Sequence, residues 1–381
     1  MKTEIFVASI ALSAVLGSGY WIAASNDRAR NAPRAKPAQL TADGTLIQRG
    51  RAFFPIGIYQ VHHTDAEYAM LAGHGFNAVQ GNFTTDVAHF IETLDLAQRH
   101  NLAVAVPLDA ENLIKENLPQ SLAKIRAAAG HPAVLSWKIC DEPDAEMWAR
   151  LRPEVPPAYQ AIKSLSPGQP IELTLSKDSA LKRWTRFCDM VEIDRYPVPG
   201  KPLTQVLDFC VRTRKEMKPW QNLTYVVQCG WTRDLATQPS FAQARSMVYL
   251  ALIGGAKGIF WYSRREKDGW DLTVTPLWPR LKQINAEIAA LSTPLMLGSE
   301  VPGITCSATG VYFTARRHID KLYLLATNPG AAHADAVFTL PSEMQASKAR
   351  LAGDGKDVTM DGQAVRIPLG GIDSVTIVFD L

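Results

Sequence analysis

Between residues 45 and 295 the chain repeats a short apolar run followed by an amphipathic stretch, eight times over, and no other regularity limits its fold so tightly. The apolar runs are Phe53–Val61, Phe76–Phe83, Leu102–Asp109, Val134–Glu142, Pro170–Ser176, Asp189–Val198, Asn222–Gly230 and Gly258–Ser263. Helical patterns separate them, among them Asp86–His100, Leu203–Lys218 and Phe241–Lys257, and Thr275–Ser292 closes the set. A helix between consecutive strands carries the chain back so that each new strand lies parallel to the last. Eight such units over about 250 residues predict an α/β fold, a closed (β/α)8 or TIM barrel.

After Leu295 the texture changes. Val311–Thr314, Leu322–Thr327, Ala336–Leu340, Ala364–Ile367 and Ser374–Phe379 alternate or run apolar, broken by turns at Asn328-Pro-Gly, Asp354-Gly and Asp361-Gly. That pattern predicts a small C-terminal antiparallel β-sandwich over residues 296–381, an accessory domain beside the barrel. At the other end, Lys2 precedes an apolar run from Ile5 to Ser25 that closes on Ala23-Ala24-Ser25. Residues 1–25 therefore read as a signal peptide or an N-terminal membrane anchor, and 26–44 as a linker. Arg28, Arg30, Arg34 and Lys36 follow the run, which weighs toward a tether, while the polar, proline-containing stretch to Gln39 weighs toward cleavage. Export to the periplasm or the exterior is the expectation.

Forty basic and 37 acidic residues leave a net charge of +3 without a long block of one sign, which argues against nucleic acid as a partner. The five cysteines are odd in number and irregular in spacing, so neither a disulfide framework nor a zinc site is expected. No glycine-rich phosphate loop or nucleophile elbow is present, and no metal or organic cofactor is implied.

Strand parity sorts the side chains. Leu135, Trp137 and Ile139 share one face, as do Ile171, Leu173 and Leu175, and Val191 with Ile193; these are expected under the helices. The opposite faces carry Lys138, Cys140 and Glu142, then Glu172, Thr174 and Ser176, then Glu192, Asp194 and Tyr196. Those point into the barrel, and Glu142, Asp194 and Tyr196 are placed highest, at the end where barrels of this type carry their sites. The deeper Lys138, Glu172 and Glu192 read as a buried ion network that satisfies itself.

At this point the chain resembles a known group. Phe54-Pro-Ile-Gly-Ile-Tyr59 on strand one, Phe76-Asn-Ala-Val79 on strand two and Asp141-Glu-Pro143 on strand four look like the clan A glycoside hydrolases. So do Asp194-Arg-Tyr-Pro197 on strand six and Gly255-Ala-Lys-Gly-Ile-Phe-Trp-Tyr262 on strand eight. The resemblance gives Glu142 the acid/base role, for which a carboxyl needs a raised pKa. The clan more often has asparagine before that glutamate, touching the sugar 2-hydroxyl. Asp141 stands there instead, and would accept that bond or cap the loop after Pro143.

Strand seven departs from the pattern. The clan's nucleophile is a glutamate at its end, and here the inward residue is Gln228. Three readings stay open: another carboxylate acts, the enzyme inverts, or catalysis has been lost. Asp194 is the best second carboxylate. An inverting pair would stand about 6.5–9.5 Å apart, a retaining pair about 5–5.5 Å. Its alternative role is charge pairing with Arg195 or Lys138, and Asp109 at the end of strand three is the next candidate. Tyr59, Gln80, Asn82, Tyr196 and Gln228 offer hydroxyl or amide groups to a carbohydrate, and Trp231 and Trp261 offer flat faces. The expected activity is hydrolysis of O-glycosidic bonds in a glycan or oligosaccharide. The rivals are a noncatalytic carbohydrate-binding barrel of the cell envelope and a structural envelope protein.

Overall fold

A computed structural model describes residues 36–81, 86–108, 118–230, 234, 238–266 and 269–381. The N-terminal run of residues 1–25, most of the expected linker, and Asn82, Asp109 and Trp231 lie outside these residues. Among the described residues, no helix is long and apolar enough to cross a membrane.

The described chain opens with three short antiparallel strands, β1 (Gln39–Leu40), β2 (Leu46–Gln48) and β3 (Arg51–Ala52). Ala38 and Leu46 pack with Ala103 and Met190, which begin two barrel strands, so this ribbon closes the barrel floor. Asn222 Nδ2 donates to the Gly44 carbonyl, and Arg49 donates to those of Pro132 and Leu102, pinning the ribbon to the strand entrances. The chain is thus already folded at Gln39, inside the stretch expected to be linker. Strands of two or three residues with polar neighbours carry too little periodicity to be seen in sequence.

Eight parallel strands follow and close into a barrel. They are β4 (Ile56–Ile58), β5 (Ala78–Val79), β6 (Ala103–Pro107), β7 (Val134–Cys140), β8 (Ile171–Leu175), β9 (Met190–Asp194), β10 (Asn222–Gln228) and β11 (Ile259–Tyr262). Every one falls inside its predicted run. Helices such as Val87–Arg99, capped by Asp86, and Phe241–Ile253, opened by a Ser240/Gln243 capping box, lie outside the strands.

The strand faces divide as their parity requires, with two exceptions: Cys140, expected to face inward, joins the outer core because a bulge between Lys138 and Cys140 pairs it with Leu173, and Leu135 is the other. Trp137, Ile139, Ile171, Leu173, Leu175, Val191 and Ile193 all join the large core between strands and helices. Leu135 was expected with them but clusters with Ala105, Val226 and Phe260 in the barrel interior. The cause is a bulge: Val104 pairs with Val134 and Ala105 with Ser136, so Leu135 is an extra residue in the ladder. Gly57 is required by the same interior. A Cβ there would lie 2.2 Å from the Phe260 ring, so only glycine admits that ring.

Beyond the helix Trp278–Leu297 the chain forms a six-stranded and a four-stranded antiparallel sheet around a second apolar core. The five predicted strands are present as Tyr312–His318, Lys321–Asn328, Ala334–Thr339, Ala364–Leu369 and Asp373–Asp380. The larger sheet meets the barrel helix Phe241–Ile253 through polar contacts: Ser246 with Thr327 at 3.0 Å and Tyr249 with Thr376 at 3.1 Å. The architecture is a TIM barrel with a C-terminal β-sandwich.

Candidate active site

Two acid-rich layers occupy the barrel, one above the other. The lower layer is centred on Lys138, which is 2% exposed. Its ammonium lies 2.8 Å from Glu192 Oε2, 4.0 Å from Glu172 Oε1 and 3.1 Å from Asp141 Oδ1, and it also donates to the Tyr59 hydroxyl. Tyr59 donates in turn to Glu192, which accepts a third bond from Thr174 at 2.7 Å. Burial alone would push the Lys138 ammonium down, but the Asp141, Glu192 and Glu172 charges outweigh it and hold the group up. The expected buried ion network is therefore present, with Tyr59 as one of its members, but it does not satisfy itself fully: Glu172 Oε1 and Glu192 Oε1 are buried without a hydrogen bond among the described residues.

Glu172 carries the surplus proton of this layer. Burial, then the neighbouring Glu192 charge, pushes its carboxyl up to about 8, against the opposing pull of Lys138 and of Ser136, which donates to it at 2.6 Å. The folded protein keeps a proton that an unfolded glutamate releases near 4.5. The contribution to stability is thus complete below that value and is lost as pH rises through about 8. Glu172→Gln, neutral at every pH, is expected to flatten this fall and to raise the urea midpoint on the alkaline side. Identical pH slopes in the two proteins would contradict the assignment.

The upper layer holds Glu142 and Asp194, and their carboxyl groups hydrogen-bond to each other. Two ionised carboxylates repel in such a contact, so it favours keeping one of the two protonated. Burial, foremost, raises both. At Asp194 the Glu142 charge adds to burial, while the Tyr196 hydroxyl bond opposes it. At Glu142 the Asp141 and Asp144 charges add, while the Asp194 bond and the Lys138 ammonium oppose. Asp194 is 7% exposed and Glu142 is half-buried. The wide gap of an inverting pair, about 6.5–9.5 Å, is closed here. Both side chains lie at the ends of their strands, Asp194 closing β9 and Glu142 two residues past β7. Asp194 pairs neither with Lys138 nor with Arg195, whose guanidinium lies 3.5 Å from Asp178.

The backbone at Glu142 is itself unusual. Its φ is 45°, a left-handed conformation that costs a non-glycine residue about 1–3 kcal/mol. The Glu142 N–H donates to the Thr174 carbonyl at 3.2 Å, and its own carbonyl accepts from Ala145 N–H at 2.9 Å. Asp141 reaches Lys138 at 3.1 Å because the bulge between Lys138 and Cys140 shifts the strand parity by one residue ahead of it. Among the described residues no bond from Asp141 caps the following loop; Asp144 does so, its Oδ2 accepting from Ser176 N–H at 2.9 Å and Lys177 N–H at 2.7 Å.

Two expected sugar contacts are elsewhere. Trp261 is fully buried on the outer face of β11, its Nε1 donating to Asn285 of the helix Trp278–Leu297 at 3.1 Å. Its neighbour Tyr262 is the inward residue, paired in register with Gln228. Tyr262 stacks on Tyr196 at 5.9 Å and meets the edge of Tyr59 at 5.6 Å. Strand parity alone would have found it, because Phe260 and Tyr262 share a face. Gln228 does point inward but is fully buried and clamps a backbone: Oε1 accepts from Val198 N–H at 3.0 Å, and Nε2 donates to Val198 O at 2.6 Å. Gln80 is inward above Ala78, 7% exposed, with Oε1 buried and without a hydrogen bond among the described residues.

The strand-seven clamp yields a prediction. Gln228→Glu replaces a donor by a second acceptor facing the Val198 carbonyl. The expected loss is about 3 kcal/mol by urea denaturation, with no gain in activity. A variant as stable as the parent would contradict the clamp.

No protein-family model and no curated protein matches the sequence. Solved structures do match the fold. An α-amylase from Geobacillus thermoleovorans complexed with acarbose aligns at TM-score 0.59 and 10% identity, covering 83% of this chain and 91% of that one. A GH27 β-L-arabinopyranosidase from Geobacillus stearothermophilus, in complex with arabinose, aligns at 0.60 and 12%, covering 86% and 97%. A GH30 endoxylanase from Clostridium papyrosolvens aligns at 0.53 and 11%, covering 90% and 100%. The barrel fold of this chain is similar to those of these three glycosidases. At these identities the likeness extends to architecture and no further, so the chemistry rests on the residues of the mouth.

Proposed function

We propose that this protein is a glycosidase that hydrolyses O-glycosidic bonds of a glycan or oligosaccharide, using Glu142 and Asp194 as its two carboxyl groups. The observation that carries the reading is the approach of these two carboxyl groups, both pushed upward by burial, at the C-terminal rim of the barrel beside the Tyr196–Tyr262 shelf. Glycoside cleavage needs one carboxyl that gives a proton and one that is ionised, and two neighbouring carboxyls in unequal surroundings are suited to divide those roles. Tyrosine rings at the rim supply apolar faces to sugar C–H groups and hydroxyls to their oxygens. Asp141, held by Lys138, is a further acceptor for a sugar hydroxyl. Gln80 adds an amide on the opposite wall. Asn82, Asp109 and Trp231 remain sequence-based candidates for the same cleft. The N-terminal apolar run supports placing the enzyme in the periplasm or outside the cell.

A second reading, a carbohydrate-binding barrel without turnover, draws on Gln228, which stands where a strand-seven nucleophile would and is spent on Val198. A panel of polysaccharides and aryl glycosides separates the two. Release of reducing ends or aryl alcohol by the wild-type protein is the expected result; retention on a glycan without release would overturn the enzyme in favour of the binding barrel.

A further inference from the structure

The surroundings of the two carboxyl groups are unequal, and the inequality assigns their roles. We infer that Asp194 is the protonated member and donates its proton to the departing sugar oxygen, while Glu142 is the ionised partner that attacks the anomeric carbon. The inference rests on the glycosidase reading and exchanges the roles that the strand-four resemblance implies.

Three geometric facts support it. Asp194 is 7% exposed, and among the described residues no cation pairs with it; Arg195, next in sequence, is turned to Asp178 and packs over the Phe209 ring. An acid so enclosed is best accommodated neutral. Glu142 is half-buried, on the same strand end as Lys138, whose ammonium sits 3.1 Å from the adjoining Asp141. Of the two groups it is the less buried and the one with a cation nearby, although the Asp141 and Asp144 carboxylates oppose that cation. The groups facing Glu142 are Asp141, Asp144, Lys138 and Asp194, and those facing Asp194 are Glu142, Asp141 and the Tyr196 hydroxyl. Finally, the left-handed turn at Glu142 is fixed by backbone hydrogen bonds to Thr174 and Ala145, which sets the point from which the carboxylate projects toward the site.

The reaction runs in two balanced steps. Asp194 gives its proton to the glycosidic oxygen as the C1–O bond breaks, and a Glu142 oxygen bonds to C1, so a free alcohol and a glycosyl ester result. Water then attacks C1, its proton passing to the Asp194 carboxylate, and the ester bond breaks to free Glu142. The sum is one glycoside and one water consumed, one sugar and one alcohol released, with configuration retained. The contact between the groups agrees: opening it to about 5–5.5 Å needs less movement than opening it to the inverting distance.

Two experiments decide the matter, using the sugar found active in the panel. The wild-type protein is treated with the 2-deoxy-2-fluoro glycoside of that sugar carrying a dinitrophenyl leaving group, and its peptides are weighed. A covalent label on Glu142 is expected; a label on Asp194 or on any other residue overturns the inference. In parallel, kcat/KM is compared between dinitrophenyl glycosides, which leave without a proton, and glycosides with sugar leaving groups. Asp194→Asn is expected to lose at least about a hundredfold more on the sugar leaving group than on dinitrophenyl, and Glu142→Gln to lose equally on both. The mirror pattern returns the proton to Glu142 and overturns the inference while leaving a glycosidase. Absence of turnover by the wild-type protein on both substrate types removes the glycosidase reading and the inference with it.

Discussion

Glu142→Gln is expected to lower kcat/KM on any substrate with a sugar leaving group by on the order of 10³-fold while leaving the fold intact. The loss does not depend on which carboxyl holds the proton, because an amide neither attacks carbon nor donates a proton of useful acidity. The fold should survive because Gln fits the space of Glu and its amide donates to Asp194, in place of the present carboxyl–carboxyl bond. The φ of 45° at this position is as accessible to Gln as to Glu. Thermal midpoints should therefore be equal, or higher in the variant, as is common where an active site holds like charges together. Activity within about tenfold of the wild type would remove Glu142 from the chemistry.

Lys138→Met carries the second large effect, this time on stability. The ammonium is the one cation in contact with Glu172, Glu192 and Asp141 among the described residues, and it is 2% exposed. Removing one partner of a buried ion cluster typically costs about 3–5 kcal/mol, because the remaining charges stay in a medium that solvates them poorly. For a chain of this size that corresponds to a fall in Tm on the order of 5 °C. The loss should be greatest at alkaline pH, where Glu172 also gives up its proton. Lys138→Met combined with Glu172→Gln should recover part of it, since the pair of changes removes both signs of charge. A single variant as stable as the wild type across pH 5–9 would show that the network is solvated, on the order of the surface pairs that contribute about 0–1 kcal/mol.

How far these features were legible in the sequence depends on whether the signal was local. The eight strands were readable because each apolar run is long enough to show its parity, and Glu142 and Asp194 follow from that parity at the ends of β7 and β9. The lower network follows too: three inward charges of both signs on neighbouring strands have no stable alternative to pairing. Trp261 was misplaced because its flat ring was weighed above its parity, which puts Tyr262 at the mouth instead. Leu135 could not have been placed, since a bulge leaves no mark in a run of apolar residues. Contacts set by tertiary structure were also hidden. Nothing local marks Val198 as the partner of Gln228, thirty residues away. Nor does anything local mark the bulge between Lys138 and Cys140 that lets Asp141 reach Lys138. The approach of Asp194 to Glu142, and not to Lys138, is a fact of strand height that sequence spacing does not carry.

Titration of the carboxyl carbons by NMR, in protein labelled with ¹³C at the Asp and Glu carboxyls, reaches the protonation of the pair at the mouth directly. Glu142 and Asp194 should titrate as a coupled pair in two separated steps, the upper one well above the ordinary carboxylate range near 4. In Glu142→Gln the two-step behaviour of Asp194 should vanish. Two independent carboxyls, each titrating near 4 and indifferent to the loss of the other, would mean that no proton is held between them.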